Sequence, residues 1–154
     1  MGPVIHYTSH EIRRALDARV AAEVTPELSG ARGLVLGEIV RANEEQRNVY
    51  QRDIEEWFHI RRSSVTTLLQ GMEQDGFITR CAVAQDARLK RLVATEKGLA
   101  YYGRLRSCID AFEAELQQNI DAADLAVTWR VLEQLLDNLS KMPQSRQECI
   151  EGRE

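Results

Sequence analysis

Apolar residues recur along this chain at helical spacing almost throughout, and at strand spacing in one short region. Ile12, Leu16, Val20 and Val24 form a stripe at four-residue intervals, which predicts a first helix over about residues 9–24 with Ser9 as its N-cap. Thr25-Pro26 ends it, because proline cannot continue a helix. Ser29 is the expected cap of a second helix carrying Leu34, Leu36, Ile39 and Val40, and the polar stretch Asn43–Asn48 reads as a loop. Gln51–Phe58 has room for two helical turns with Ile54 and Phe58 inward, and His59-Ile60 is a tight turn. Val65, Leu68, Leu69 and Met72 fall at i, i+3, i+4 and i+7, the mark of an amphipathic helix over Arg62–Asp75 that Gly76 terminates.

Phe77–Val83 and Leu89–Thr95 read as two strands of a β-hairpin joined by the polar Ala84–Arg88. Thr95 followed by Glu96 starts a long helix to about Asn119, with Tyr102, Leu105, Ile109, Phe112 and Leu116 on one side. A last helix, about Ala122–Lys141, repeats Leu125, Trp129, Leu132, Leu136 and Leu139 at alternating spacings of four and three, a coiled-coil-like seam. The expected fold is mainly α with a small β-hairpin, one unit over residues 1–142 followed by a flexible tail at 143–154.

The 154 residues suffice for one domain with a real core, and 44% hydrophobic with 29% charged residues excludes a disordered or fibrous chain. No apolar run approaches the roughly 20 residues of a membrane span. No secretory leader is evident in residues 1–10, and Cys81, Cys108 and Cys149 make no disulfide framework, so a cytoplasmic protein is expected. The net charge of −4 argues against a nucleic-acid partner until its distribution is read. Residues 59–91 hold six basic side chains against three acidic ones, so that segment is +3 and the remainder −7.

The basic segment coincides with a short helix, a tight turn, a second helix and a hairpin, the layout of a winged helix-turn-helix. A helix entering a major groove about 12 Å wide must present short hydrogen-bonding side chains there. Ser63, Ser64, Thr66 and Thr67 meet that requirement, and Gln70 can read an adenine edge. Arg61 and Arg62 precede them, placed for phosphate or guanine, while Arg88, Lys90 and Arg91 sit on the hairpin. Singly, each feature describes a solvated helix or a soluble hairpin. Their order over some 45 residues points to double-stranded DNA.

These residues resemble the multiple-antibiotic-resistance regulator (MarR) family. The similarity is carried by Gln51–Ile60, Arg62–Leu69 and Met72–Arg80, by the wing signature Asp86-Ala87-Arg88, by Thr95-Glu96-Lys97-Gly98, and by Leu28–Leu36. It implies a winged helix-turn-helix over about residues 30–95 and dimerisation helices over about 9–24 and 96–141. It implies a homodimeric transcriptional repressor on a pseudo-palindromic operator, with the helix from Arg62 in the major groove. Arg88 then reaches the minor groove, oriented by Asp86, and a small-molecule effector is a possible partner. His59 stands where the family usually has glycine, Arg61 where it has a small cap and Glu55 where it has a small residue, while Trp57 takes a normally polar position. The competing reading, motivated by Glu55, Arg61 and the acidic balance, is a helical protein-interaction module that has lost DNA.

No nucleophile–base pair, phosphate loop or diagnostic carboxylate pair is present, so neither enzyme activity nor a cofactor is expected. His6, His10 and Glu11 share a helical face but are too few for a metal site. Cys81, beside Arg80, is read as inert, and Tyr101, Tyr102 and Trp129 as core or dimer contacts rather than the lining of an effector pocket.

Overall fold

In the computed structural model the chain is described over residues 1–83 and 86–142, with side chains over 1–82 and 89–142. The expected tail at 143–154 and the side chains of Asp86 and Arg88 lie outside the described residues. The elements follow in the order α1 (Gly2–Glu23), a 3-10 turn (Pro26–Leu28), α2 (Ala31–Glu44), β1 (Val49–Tyr50), α3 (Gln51–Phe58), α4 (Arg62–Gln74), β2 (Ile78–Val83), β3 (Asp86–Ala94), α5 (Glu96–Leu116) and α6 (Ala122–Lys141). The chain divides into two units, Met1–Leu116 and a second that begins at Gln117 and carries α6.

The core of the first unit is built around α2. Val35, Leu36, Ile39 and Val40 are buried there with Ile54 of α3, Val65, Leu69 and Met72 of α4, and Phe77, Ile78 and Leu92 at the sheet. Val20 of α1, and Leu105 and Cys108 of α5, close it on the other side. The sheet is antiparallel in the order β1-β3-β2, with Val49 opposite Leu92 and Ile78 opposite Ala94. The mainly α architecture with a winged helix-turn-helix is as the sequence leads one to expect. Bounds of α3 and α6 coincide with expectation, and α4 ends one residue early.

Four differences have physical causes. α1 begins at Gly2 rather than Ser9, since Pro3 occupies the first turn, where a missing N–H costs nothing. Ser9 therefore lies inside the helix, its hydroxyl donating to the His6 carbonyl at 3.3 Å. The cap of α2 is Gly30, at φ +66 in a region that favours glycine, with its N–H donating to Asp17 Oδ1 at 2.7 Å. Ser29 instead closes the preceding turn by donating to the Pro26 carbonyl. Within the presumed loop at 43–48, Asn43 and Glu44 are still helical, and Val49–Tyr50 adds a third strand too short to show alternation. β3 starts at Asp86, three residues before Leu89, so the expected 84–88 loop is shortened from its far side; a register irregularity lies at Ala82/Val83.

Candidate nucleic-acid interface

The helix-turn-helix is set by local chemistry at each end. Asp53 in the first turn of α3 accepts the Tyr50 backbone N–H at 2.8 Å, satisfying one of that helix's free donors. His59 closes α3 in the left-handed region at φ 50, where the chain must turn sharply into α4. Arg61 flanks α4 at its N-terminus and makes no side-chain capping bond, as expected of an arginine there.

Arg61, Arg62, Ser63, Ser64, Thr67 and Gln70 are exposed on one side of α4, opposite the buried Val65, Leu69 and Met72. Thr67 donates to the Ser63 carbonyl, a bond that leaves its oxygen able to accept. Thr66 is different. It is half-buried, donates to the Arg62 carbonyl at 2.9 Å, and accepts from the Gln51 side chain at 2.9 Å. The same Gln51 amide donates to Glu55 Oε1 at 2.9 Å. Glu55 is thus held by its own helix, and no ion pair joins it to Arg61 or Arg62.

Beside the N-terminal end of α4 lies a cup of about 250 Å³. It collects Arg52 of α3, Arg62 of α4, Arg80 of β2 and Lys90 of β3, with Glu55 as its carboxylate. Arg80 Nε pairs with Glu73 Oε2 at 3.2 Å, while its Nη2 is buried with no hydrogen-bond partner among the described residues. The structure therefore brings Arg62 and Lys90 together and adds two arginines the sequence reading did not select. Arg52 and Arg80 are separated from Lys90 in sequence; the β2–β3 pairing brings Arg80 beside Lys90's strand, and the packing of α3 adds Arg52. Arg91 does not line the cup; its Nη1 reaches Asn48 Oδ1 at 3.3 Å.

His10 Nδ1 lies 3.3 Å from Glu11 Oε1, and no group of three or more His, Cys, Asp or Glu gathers for a metal among the described residues. Cys81 is half-buried on β2 opposite Arg91. Cys108 is buried, and burial, with the Glu23 carboxylate adding to it, pushes its thiol up. Tyr101 packs edge-on against Phe77 at 5.5 Å, and Tyr102 packs on the core. No helix among the described residues is long and apolar enough to cross a membrane.

A helix with an exposed polar face, preceded by a short helix and followed by a basic two-stranded wing, defines a winged helix-turn-helix protein. Residues 27–89 match the MarR family model. A homoprotocatechuate degradative operon repressor of Escherichia coli is 33% identical over 93 residues, which is 60% of this chain and 60% of that protein's length. Among solved structures, the transcriptional regulator PA3341 is 28% identical, with 92% of this chain and 98% of that one covered at a TM-score of 0.76. The S. aureus MepR–DNA complex superposes at a TM-score of 0.78 with 21% identity, covering 90% and 97% of the two chains. Over residues 27–89 the chain is thus similar to the MarR family, and it spans 60% of the length of the curated repressor it matches.

Proposed function

We propose that the protein is a homodimeric, sequence-specific transcriptional regulator of double-stranded DNA, acting as a repressor. The observation that carries this reading is the continuity of the exposed polar face of α4 with the four-cation cup beside its N-terminal end. Ser63, Ser64, Thr67 and Gln70 read base edges in the major groove, with Arg61 and Arg62 at the groove's rim. Thr66 belongs to this surface as the residue that fixes α4 on α3, since both sides of its hydroxyl are already bonded.

A backbone phosphate suits the cup. Burying the Arg80 Nη2 N–H groups without a hydrogen-bond partner is costly, and an arriving anion that accepts from them relieves that cost with charge-assisted bonds. Lys90 and Arg91 engage backbone along β3, and Arg88 reaches the adjoining minor groove with Asp86 orienting it. The acidic remainder of the chain does not oppose this, because the field at the interface is set by nearby charges within a Debye length of about 8 Å at physiological salt. The operator is pseudo-palindromic, with half-sites about one DNA turn (~34 Å) apart.

A small-molecule effector fits this reading as well. A groove of about 540 Å³ runs between the end of α1 and α5, lined among others by Glu23, Val24, Arg104 and Cys108. Selection of duplexes from a random pool, followed by gel shift at moderate salt, tests the DNA assignment. Enrichment of a two-fold motif is expected. Recovery of no preferred sequence overturns it in favour of a protein-interaction module.

A further inference from the structure

We propose that Arg32, Asp75 and Lys97 form a clamp that aims α4, so that residues away from the DNA set operator discrimination. This rests on the DNA-binding reading above. Asp75 is the residue at which α4 ends, where unpaired carbonyls and the helix dipole favour cations. Two cations arrive there from different elements. Arg32, at the start of α2, donates through Nη2 to Asp75 Oδ2 at 2.6 Å and through Nη1 to the Glu27 carbonyl at 3.1 Å. Lys97, in the first turn of α5, donates to the Asp75 carbonyl at 2.6 Å. Its ammonium also sits 4.7 Å above the Phe77 ring.

The recognition helix is shaped to accept this clamp. A Cβ added at Gly71 would stand 2.7 Å from Arg32 Nη2, so the guanidinium lies directly against the α4 backbone. Glycine in a helix interior is otherwise unfavourable, and here it leaves room for the arginine. Asp75 and Arg32 are both partly exposed, so their pair contributes little to global stability. Its geometric leverage is larger. The Arg62 end lies about 20 Å from Asp75 at 1.5 Å per residue, so a pivot of about 5° moves the reading end by roughly 1.7 Å. That exceeds the tolerance of a base-edge hydrogen bond.

The test compares wild type with Arg32→Ala, Asp75→Asn, Gly71→Ala and the double variant Arg32→Ala/Gly71→Ala. Each is titrated with the selected operator and with a scrambled duplex of equal length, and its melting temperature is recorded. The three single variants are expected to lower the operator-to-scrambled affinity ratio about tenfold while Arg32→Ala and Asp75→Asn melt close to wild type. Gly71→Ala is expected to do no further harm once Arg32 is alanine, because the clash is then gone. Unchanged ratios in Arg32→Ala and Asp75→Asn, with wild type discriminating normally, overturn the clamp alone. Equal damage from Gly71→Ala in both backgrounds also overturns it. A wild-type protein that prefers no sequence overturns the DNA-binding reading and the clamp together.

Discussion

The side-chain amide of Gln51 donates to the hydroxyl of Thr66 at 2.9 Å, bolting the first turn of α3 to the N-terminal part of α4. The bond spans the turn that gives a helix-turn-helix its angle. Neutral hydrogen bonds of this kind contribute about 1 kcal/mol net. Gln51→Ala and Thr66→Val are each expected to destabilise the fold by about that amount, with a coupling energy of about 0.5–1 kcal/mol between them in urea unfolding. Strict additivity of the two losses would show that the bond does not form in solution.

A second expectation concerns His59, held at φ 50 where the chain leaves α3. A left-handed backbone costs a non-glycine L-residue about 1–2 kcal/mol, partly offset by the extra entropy glycine loses on folding. His59→Gly is therefore expected to raise stability by about 0.5–1 kcal/mol, seen as a higher urea midpoint at unchanged m-value. A lower midpoint would mean that the imidazole makes a stabilising contact that outweighs the backbone.

Much of this architecture was legible because its determinants are local. The stripe of Val65, Leu69 and Met72 with Gly76 behind it delimits α4 without reference to the rest of the chain. Thr95 does the same for α5, accepting the Gly98 N–H at 3.0 Å and donating to the Gly76 carbonyl. Gly98 itself is explained only by the fold, since an added Cβ would stand 2.1 Å from the Phe77 carbonyl oxygen. The contacts that place the interface are of that second kind. Arg32 with Asp75 and Gln51 with Thr66 pair residues 43 and 15 positions apart in sequence, and no periodicity announces them. β1 is likewise invisible to periodicity. Its two residues become a strand through pairing with Leu92 and Arg91.

The buried Cys108 predicts a pH dependence. Its thiol titrates above the ordinary cysteine value, first because burial disfavours the thiolate and then because the Glu23 carboxylate repels it. The stabilising contribution of the neutral folded thiol is complete below the unfolded value. It is lost as pH rises through the unfolded value toward the folded one, because the unfolded chain sheds this proton first. As pH rises above the ordinary cysteine value of about 8.5, wild type should therefore lose more stability in urea melts than Cys108→Ala does. Parallel losses in the two proteins would remove this thiol from the account.

The wing gives a prediction in salt. Each phosphate contact contributes a slope of about −0.9 in log affinity against log salt. Arg88→Ala and Lys90→Ala are each expected to weaken operator binding and to flatten that slope by about one contact. Thr67→Ala and Gln70→Ala should leave the slope unchanged and shift preference between operator sequences instead. Fluorescence anisotropy titrations between about 50 and 200 mM salt separate the two behaviours. An unchanged slope in Arg88→Ala removes the wing from the phosphate count.

The last expectation follows from α6, which has no buried residue. Asp121 caps it by accepting the Ala123 N–H at 2.8 Å, so the helix is well started. Along it Trp129, Leu132, Leu136 and Leu139 are 59%, 37%, 67% and 58% exposed. An apolar stripe of that length, spaced by three and four, matches the seam of a paired helix and is costly to leave in water. A second copy of the chain is the partner that a two-fold operator requires. Leu132→Asp with Leu136→Asp is expected to convert a dimer into a monomer in sedimentation at micromolar concentration, with far-ultraviolet circular dichroism retained. The same variant should bind a full operator no better than an isolated half-site, because one reading helix then acts alone. A wild-type protein that sediments as a monomer at that concentration would break the link between α6 and the DNA geometry.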